Sequence, residues 1–84
     1  MIDIITSRVR QMLLNKGYER VDAGDPHVFL YSKDGMDCEV YPNHDTNCVT
    51  LYVQNYGNGL CVNMQDLTKQ ELEDMFAKFI EENA

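Results

Sequence analysis

The side chains best suited to chemistry in this 84-residue chain are those of two histidines, of three cysteines, and of Asp37 and Glu39, whose carboxylates are two residues apart. His44 precedes Asp45, and an imidazole beside a carboxylate is a common pairing of a general base with the group that orients it. Neighbours in sequence more often point apart, and no nucleophile elbow, phosphate-binding loop or metalloprotease motif accompanies the pair. We therefore predict that the protein is not an enzyme, and keep a small enzyme using His44 and Asp45 as the least favoured alternative.

A zinc site could be assembled only from Cys38, His44, Cys48 and Cys61. Their spacing matches no zinc-binding motif, and four ligands must converge within about 2.3 Å of one ion. In an extended chain Cys38 falls on one face, whereas Cys48 and Cys61 fall on the other. An odd number of cysteines without a C-x-x-C pair also argues against a disulfide framework. We therefore predict that the protein binds neither a metal ion nor a cofactor.

Acidic residues outnumber basic ones by fourteen to seven, which gives a net charge of −7. Residues 21–65 carry six carboxylates and one lysine, and residues 66–84 carry six carboxylates and two lysines. Such a chain repels nucleic-acid phosphates and anionic lipid, and its field favours a basic protein surface. The simpler interpretation is that the charge only keeps a small domain soluble.

The start of the chain lacks the unbroken apolar stretch and the small-residue cleavage site of a secretory signal. The longest wholly apolar runs are three or four residues, such as Val28-Phe29-Leu30-Tyr31, which is far too short to cross a bilayer. The sequence therefore predicts a cytoplasmic protein without a membrane segment.

Helical spacing is found at both ends of the chain. The first stripe comprises Ile2, Ile5, Val9, Met12 and Leu13, and the second comprises Leu72, Met75, Phe76, Phe79 and Ile80. Gly17 is suited to end the first helix in a left-handed conformation, with Tyr18 placed to contact Leu13. Thr68 and Glu71 form the capping box that begins the second.

The middle of the chain alternates with the period of two that is typical of strands. Strands are predicted at residues 18–23, 27–32, 36–41, 48–54 and 60–64, joined by short connections that favour a meander. Asp34-Gly35 is the residue pair that a two-residue type I′ hairpin requires. We therefore predict one α+β domain over residues 1–84. In chain order, a four- to five-stranded antiparallel sheet follows the first helix and precedes the second.

Both helices must bury their stripes on the apolar face of this sheet, which predicts a two-layer sandwich with both helices on one side. Strict alternation assigns to the helix side Val28, Leu30, Met36, Cys38, Val40, Val49, Leu51, Val53, Leu60, Val62 and Met64. It assigns to the other side Phe29, Tyr31, Asp37, Glu39, Tyr41, Thr50, Tyr52, Cys61 and Asn63.

Four aromatic rings and two carboxylates on one uncovered sheet face suggest a binding surface for lysine or arginine. The predicted partner-binding residues are Phe29, Tyr31, Asp37, Glu39, Tyr41 and Tyr52. Two other interpretations compete with this one. Aromatic residues also stabilise sheets through cross-strand pairs. Rings on a sheet can stack on nucleic-acid bases, although the carboxylates and the absence of cations on these strands count against it.

The sequence thus favours a small acidic protein-binding module that docks on a basic partner and blocks its nucleic-acid-binding or catalytic surface. By analogy of class alone, small acidic inhibitors of phages and mobile elements, including anti-CRISPR proteins, share its size, acidity and bare aromatic sheet. The first alternative is a structural homodimer that packs through the open sheet. Removing Tyr31 or Tyr52 is expected to weaken binding without changing stability.

Overall fold

The first helix, α1, spans Ile2–Asn15 and ends as its sequence predicts. Gly17 takes the left-handed conformation, with φ of +96°. Its N–H donates to the Leu14 carbonyl at 3.0 Å, and the Tyr18 N–H donates to the Leu13 carbonyl at 3.1 Å. These two bonds make a Schellman motif, which satisfies carbonyls that the helix end would otherwise leave free. The computed structural model describes all residues from 1 to 84.

Five strands follow α1 and form one antiparallel sheet in chain order. They are β1 (Glu19–Val21), β2 (Phe29–Lys33), β3 (Met36–Asn43), β4 (Cys48–Val53) and β5 (Asn58–Asn63). The β2–β3 connection confirms the predicted hairpin: Asp34 and Gly35 have φ of 52° and 81°, and Lys33 pairs with Met36 across the turn. The predicted meander is therefore observed, with all five strands present.

The second helix, α2, spans Lys69–Asn83 and has the predicted start. The Thr68 hydroxyl accepts from the Glu71 N–H at 3.2 Å, and the Glu71 carboxylate accepts from the Thr68 N–H at 3.1 Å. This reciprocal pair satisfies two of the backbone donors that a helix start leaves free. The Thr68 backbone N–H, and secondarily the Thr68 side chain, bind the Glu71 carboxylate and lower the pKa of that carboxyl.

Both helices pack on the same face of the sheet, as predicted. The first helix lies over β1, β3 and β4, and the second lies over β4 and β5. Between the layers lies one apolar core: Ile2, Ile5, Val9, Leu13, Tyr18, Tyr31, Cys38, Val40, Val49, Leu51, Val53, Val62, Met64, Leu72, Phe76 and Ile80. The other face of the sheet is covered by neither helix, so the fold is an open two-layer sandwich.

The predicted orientation of β2 is wrong. Tyr31 is only 1% exposed and lies in the core beneath α1, where its hydroxyl accepts from Arg10 Nε at 2.8 Å. Phe29 lies on the same side, with the Arg10 guanidinium 3.9 Å from its ring centre. The hairpin causes this, because its register sets Tyr31 opposite Cys38, and directly opposed residues share a face. Leu30 points to the open side instead.

Candidate functional site

The sheet face turned away from the helices, here called the open face, is built of cross-strand rows. The central row crosses all five strands as Val21, Leu30, Glu39, Tyr52 and Gly59. The flanking rows are Glu19, Ser32 and Asp37 on one side, then Tyr41, Thr50 and Cys61, and finally Asn43, Cys48 and Asn63. The open face therefore combines carboxylates, apolar side chains and phenols on one nearly continuous surface.

Four of the six predicted partner-binding residues lie on the open face. Asp37, Glu39, Tyr41 and Tyr52 are in the rows that alternation predicts, and the two tyrosines are 38% and 37% exposed. The other two, Phe29 and Tyr31, belong to the helix side and cannot reach a molecule docked on this face. The aromatic part of the predicted site is thus smaller than the sequence suggests, but its acidic part is intact.

Tyr56 is a residue of this surface that strand alternation does not find. It lies in the β4–β5 turn, in a run of three left-handed residues with φ of 54° at Gln54, 56° at Asn55 and 69° at Tyr56. The turn returns the ring over the open face, 5.6 Å from the Tyr52 ring between centres. At 54% exposed it is the most accessible tyrosine of the chain.

A hydrogen bond fixes the Tyr56 ring on the open face. Its hydroxyl donates to Glu39 Oε2 at 2.7 Å. This bond, and secondarily burial, raises the pKa of Tyr56 to about 12, because deprotonation would set a phenolate against a carboxylate. The phenol therefore remains a donor to Glu39 throughout the neutral pH range.

The carboxylates of the open face have no cation partner within the chain. The only ion pairs join Arg8 and Lys69 to Glu73, and His44 to Asp3, all away from the open face. Glu19, Asp37 and Glu39 take part in none of them.

The basic side chains are directed to the helix layer. Lys16 Nζ donates to the Ile80 carbonyl at 3.3 Å, and Lys33 Nζ donates to the Lys16 carbonyl at 2.8 Å. Arg20 stands opposite Tyr31 in the sheet and lies 5.1 Å from the Phe29 ring centre. No lysine or arginine belongs to the rows of the open face, although Lys33 lines a depression with Glu19 at the edge of the sheet.

His44 pairs with a different carboxylate from the predicted one. Its Nε2 lies 3.1 Å from Asp3 Oδ1 on α1, whereas Asp45 uses its backbone N–H to bind Asn43. Asp3 and His44 line a depression of about 230 Å³ together with Ser7. The side chains of both partners are mostly exposed to solvent. A catalytic base at His44 would therefore be oriented by Asp3, on the side of the molecule away from the open face.

The three cysteines do not converge. Cys38 is buried beneath the helices, and Cys48 and Cys61 lie on the open face, so the sheet separates the first from the other two. No three histidine, cysteine, aspartate or glutamate side chains form a group that could hold a metal ion. The burial of Cys38 raises the pKa of its thiol, which keeps it protonated in the core.

Comparisons with known proteins find no relative of this chain: no family model, no curated protein and no solved structure matches it. Neither helix has the length and apolar character needed to cross a membrane.

Proposed function

We propose that the protein is a non-enzymatic binding module that docks its open face on a basic surface of a partner protein. The observation that carries this proposal is the absence of lysine and arginine from the rows of an open face that bears three carboxylates. Glu19, Asp37 and Glu39 lie on the open face without a cation, and the lysines and arginines lie elsewhere. A partner that brings lysine or arginine supplies the missing cations, and the complementary potentials also speed association.

The composition of the open face resembles that of a protein interface. Tyr41, Tyr52 and Tyr56 provide rigid, amphipathic contact area, and Val21 and Leu30 add apolar surface beside them. Tyrosine is enriched among the residues that dominate binding energies, because it buries much area for few rotatable bonds. A nucleic-acid ligand is disfavoured, since its phosphates would meet the carboxylates without any cation to offset them.

The finer part of the proposal is inhibition. A surface of carboxylates and aromatic rings imitates the charge and stacking groups of nucleic acid. Docked on a basic nucleic-acid-binding or catalytic surface, it would exclude the natural ligand of that surface. We propose that the module acts in this way in the cytoplasm, in the manner of small acidic inhibitors from phages and mobile elements such as anti-CRISPR proteins, an analogy of class only.

The homodimer alternative is weaker on the same observations. A twofold interface would apply the open face to itself, and each carboxylate row would approach another. Glu19, Asp37 and Glu39 of the two copies would then be desolvated without cations, which is costly. Sedimentation at high protein concentration distinguishes the two cases, because the docking proposal predicts a monomer.

The proposal is tested with two variants that remove the same charge from different layers. Asp37→Asn with Glu39→Gln neutralises the open face, and Glu81→Gln with Glu82→Gln neutralises the exposed end of α2. Proteins retained from a cell lysate by the wild type are identified and purified, and each is titrated against the three forms. We expect a basic partner whose binding weakens at least about tenfold in the open-face variant, equal to about 1.4 kcal/mol, and little in the helix variant.

Salt and competition provide the second measurement. Raising the ionic strength from about 0.05 M to about 0.5 M shortens the screening length severalfold and should weaken the complex strongly. The module should also displace nucleic acid or substrate from the purified partner. Equal binding by the wild type and the open-face variant, or partners that are acidic and insensitive to salt, would contradict the proposal.

A further inference from the structure

Tyr52 on β4, Tyr56 in the turn after it and Glu39 on β3 form a group on the open face, here called the tyrosine cluster. The two rings are in contact, inclined at 50° with their centres 5.6 Å apart, and both are partly exposed to solvent. Glu39 lies directly across the strand pair from Tyr52 and accepts the Tyr56 hydroxyl. Two phenol rings and a carboxylate thus converge at one place.

Gly59 determines how the Tyr52 ring lies. It pairs with Tyr52 across the sheet, and a Cβ at this position would come within 3.0 Å of Tyr52 Cδ1 and 3.1 Å of Cε1. The absence of a side chain therefore allows the ring to rest over the β5 backbone. One side of the Tyr52 ring thus faces the β5 backbone, and the residue remains 37% exposed.

Hydrogen bonds between β3 and the β4–β5 turn fix the position of Tyr56 in the tyrosine cluster. Asn55 binds Asp37 twice, since the Asp37 N–H donates to Asn55 Oδ1 at 2.7 Å and the Asn55 N–H donates to the Asp37 carbonyl at 3.1 Å. These bonds secure the turn that carries Tyr56. They leave the Asp37 carboxylate without a hydrogen-bond partner, on the same face as Glu39.

We propose that the exposed surface of the tyrosine cluster, together with Asp37, binds one arginine side chain of the partner protein. An arginine combines the three properties that the cluster matches: positive charge, a flat surface and several N–H donors. Its guanidinium can stack on a tyrosine ring while donating to a carboxylate oxygen. Lysine offers charge but no plane, and its compact ammonium is more strongly hydrated.

No lysine or arginine of the chain lies over the rings of the tyrosine cluster. The contacts between a cation and a ring are those of Arg10 and Arg20 with Phe29 and of Lys33 with Tyr18, and none involves Tyr52 or Tyr56. The inference rests on the proposed function, because it names the partner residue that the open face selects.

The first experiment uses three short peptides that are identical except for their repeated central residue. That residue is arginine, lysine or citrulline, which has the shape of arginine without its charge. Each is titrated into the isotope-labelled full chain while backbone amide resonances are recorded. We expect saturable shifts centred on Glu39, Tyr52 and Tyr56 with the arginine peptide, binding at least about threefold weaker with lysine, and no saturation with citrulline. Equal affinities for arginine and lysine, or shifts confined to other residues, would overturn the proposal.

The second experiment separates the tyrosine cluster from the whole docking face. Gly59→Val displaces the Tyr52 ring, and Tyr56→Ala removes the second ring, yet both leave every charge in place. Thr50→Val is the matched control, because it changes a neighbouring row of the open face. We expect the two cluster variants, but not the control, to weaken the binding of the arginine peptide about fivefold or more. If partner binding falls in the Asp37→Asn, Glu39→Gln variant but not in the cluster variants, the arginine site is refuted and the docking face stands. If it falls in none of them, both proposals fail.

Discussion

Substitution of Tyr31 tests the orientation of β2, on which the composition of the open face depends. Alternation alone predicts an exposed ring whose removal leaves stability unchanged. In the structure Tyr31 is 1% exposed and packs between the sheet and α1, with Arg10 Nε bonded to its hydroxyl. Tyr31→Ala should therefore create a large cavity in the core, whereas Tyr52→Ala should remove a ring that is 37% exposed.

The size of the effect follows from the burial of the ring. Deleting a buried aromatic side chain costs about 3–5 kcal/mol, because the transfer free energy is lost and the cavity only partly collapses. A domain of 84 residues has a total stability of about 4–13 kcal/mol, so Tyr31→Ala consumes a large share of it. At about 4–8 °C per kcal/mol, we expect the melting temperature to fall by at least about 12 °C.

Two further variants divide this effect into its parts. Tyr31→Phe keeps the ring and removes only the hydrogen bond from Arg10, which is itself partly exposed and can bind water instead. We expect a loss of about 1 kcal/mol in Tyr31→Phe. Tyr52→Ala should cost less than about 1 kcal/mol, since only cross-strand contacts are lost.

Urea unfolding and thermal melts measure all three variants. Equal losses in Tyr31→Ala and Tyr52→Ala, or an unchanged stability in Tyr31→Ala, would refute the assignment of Tyr31 to the core. The exposed aromatic surface would then have to be defined again from the other orientation of β2.

Three other predictions concern local structure. The Tyr56 phenol should titrate near pH 12, followed by its ring resonances, and Glu39→Gln should return its pKa towards 10; an unchanged pKa would disprove the hydrogen bond. Because the folded-state pKa is raised, the associated stabilisation is complete below pH 10 and is lost as the pH rises through 12. Thr68→Ala should lower the unfolding free energy by about 1 kcal/mol and Thr68→Ser by much less, whereas equal losses would rule out the cap. Gly35→Ala should cost about 1–2 kcal/mol in urea unfolding and Gly35→Asn less, because φ is +81° and nothing lies within 4 Å of the added Cβ; a neutral Gly35→Ala would contradict a strained turn.

The features that the sequence predicts correctly are those that depend on neighbouring residues. The helix ends at Gly17 and Thr68 are set by hydrogen bonds within four or five positions, so their residue types suffice to locate them. The hairpin at Asp34-Gly35 is equally local, because both residues must adopt positive φ. Short connections then require the meander, and two amphipathic helices require a common apolar face.

The orientation of β2 was determined by the sequence but not by alternation within the strand. Residues 28–31 are all apolar, so both possible orientations bury two apolar side chains and neither is favoured. The hairpin resolves the ambiguity. Once Cys38 is placed in the core, a two-residue turn at Asp34-Gly35 places Tyr31 opposite it and therefore in the core as well. The core position of Cys38 and the two-residue turn, taken together, exclude the orientation of β2 that alternation predicts.

The position of Tyr56 could not be found in this way. It lies outside every strand, so no period assigns it to a face, and its location depends on three successive left-handed residues, none of which is glycine. Its hydrogen bond to Glu39 joins positions 17 residues apart. The contact between the two tyrosines therefore depends on tertiary structure, whereas the acidic rows of the open face follow from strand alternation.

The distribution of the charge matters more for function than its total. A net charge of −7 is compatible with an evenly mixed surface, which would only improve solubility. In this fold the lysines and arginines lie on or next to α1, on α2, or on the helix side of β1 and β2, and Lys16 and Lys33 donate to main-chain oxygens. Packed layers lie about 10 Å apart, which is about the screening length at physiological ionic strength. The cations of the helix layer therefore do little to offset Asp37 and Glu39, and only an external cation can do so at contact distance.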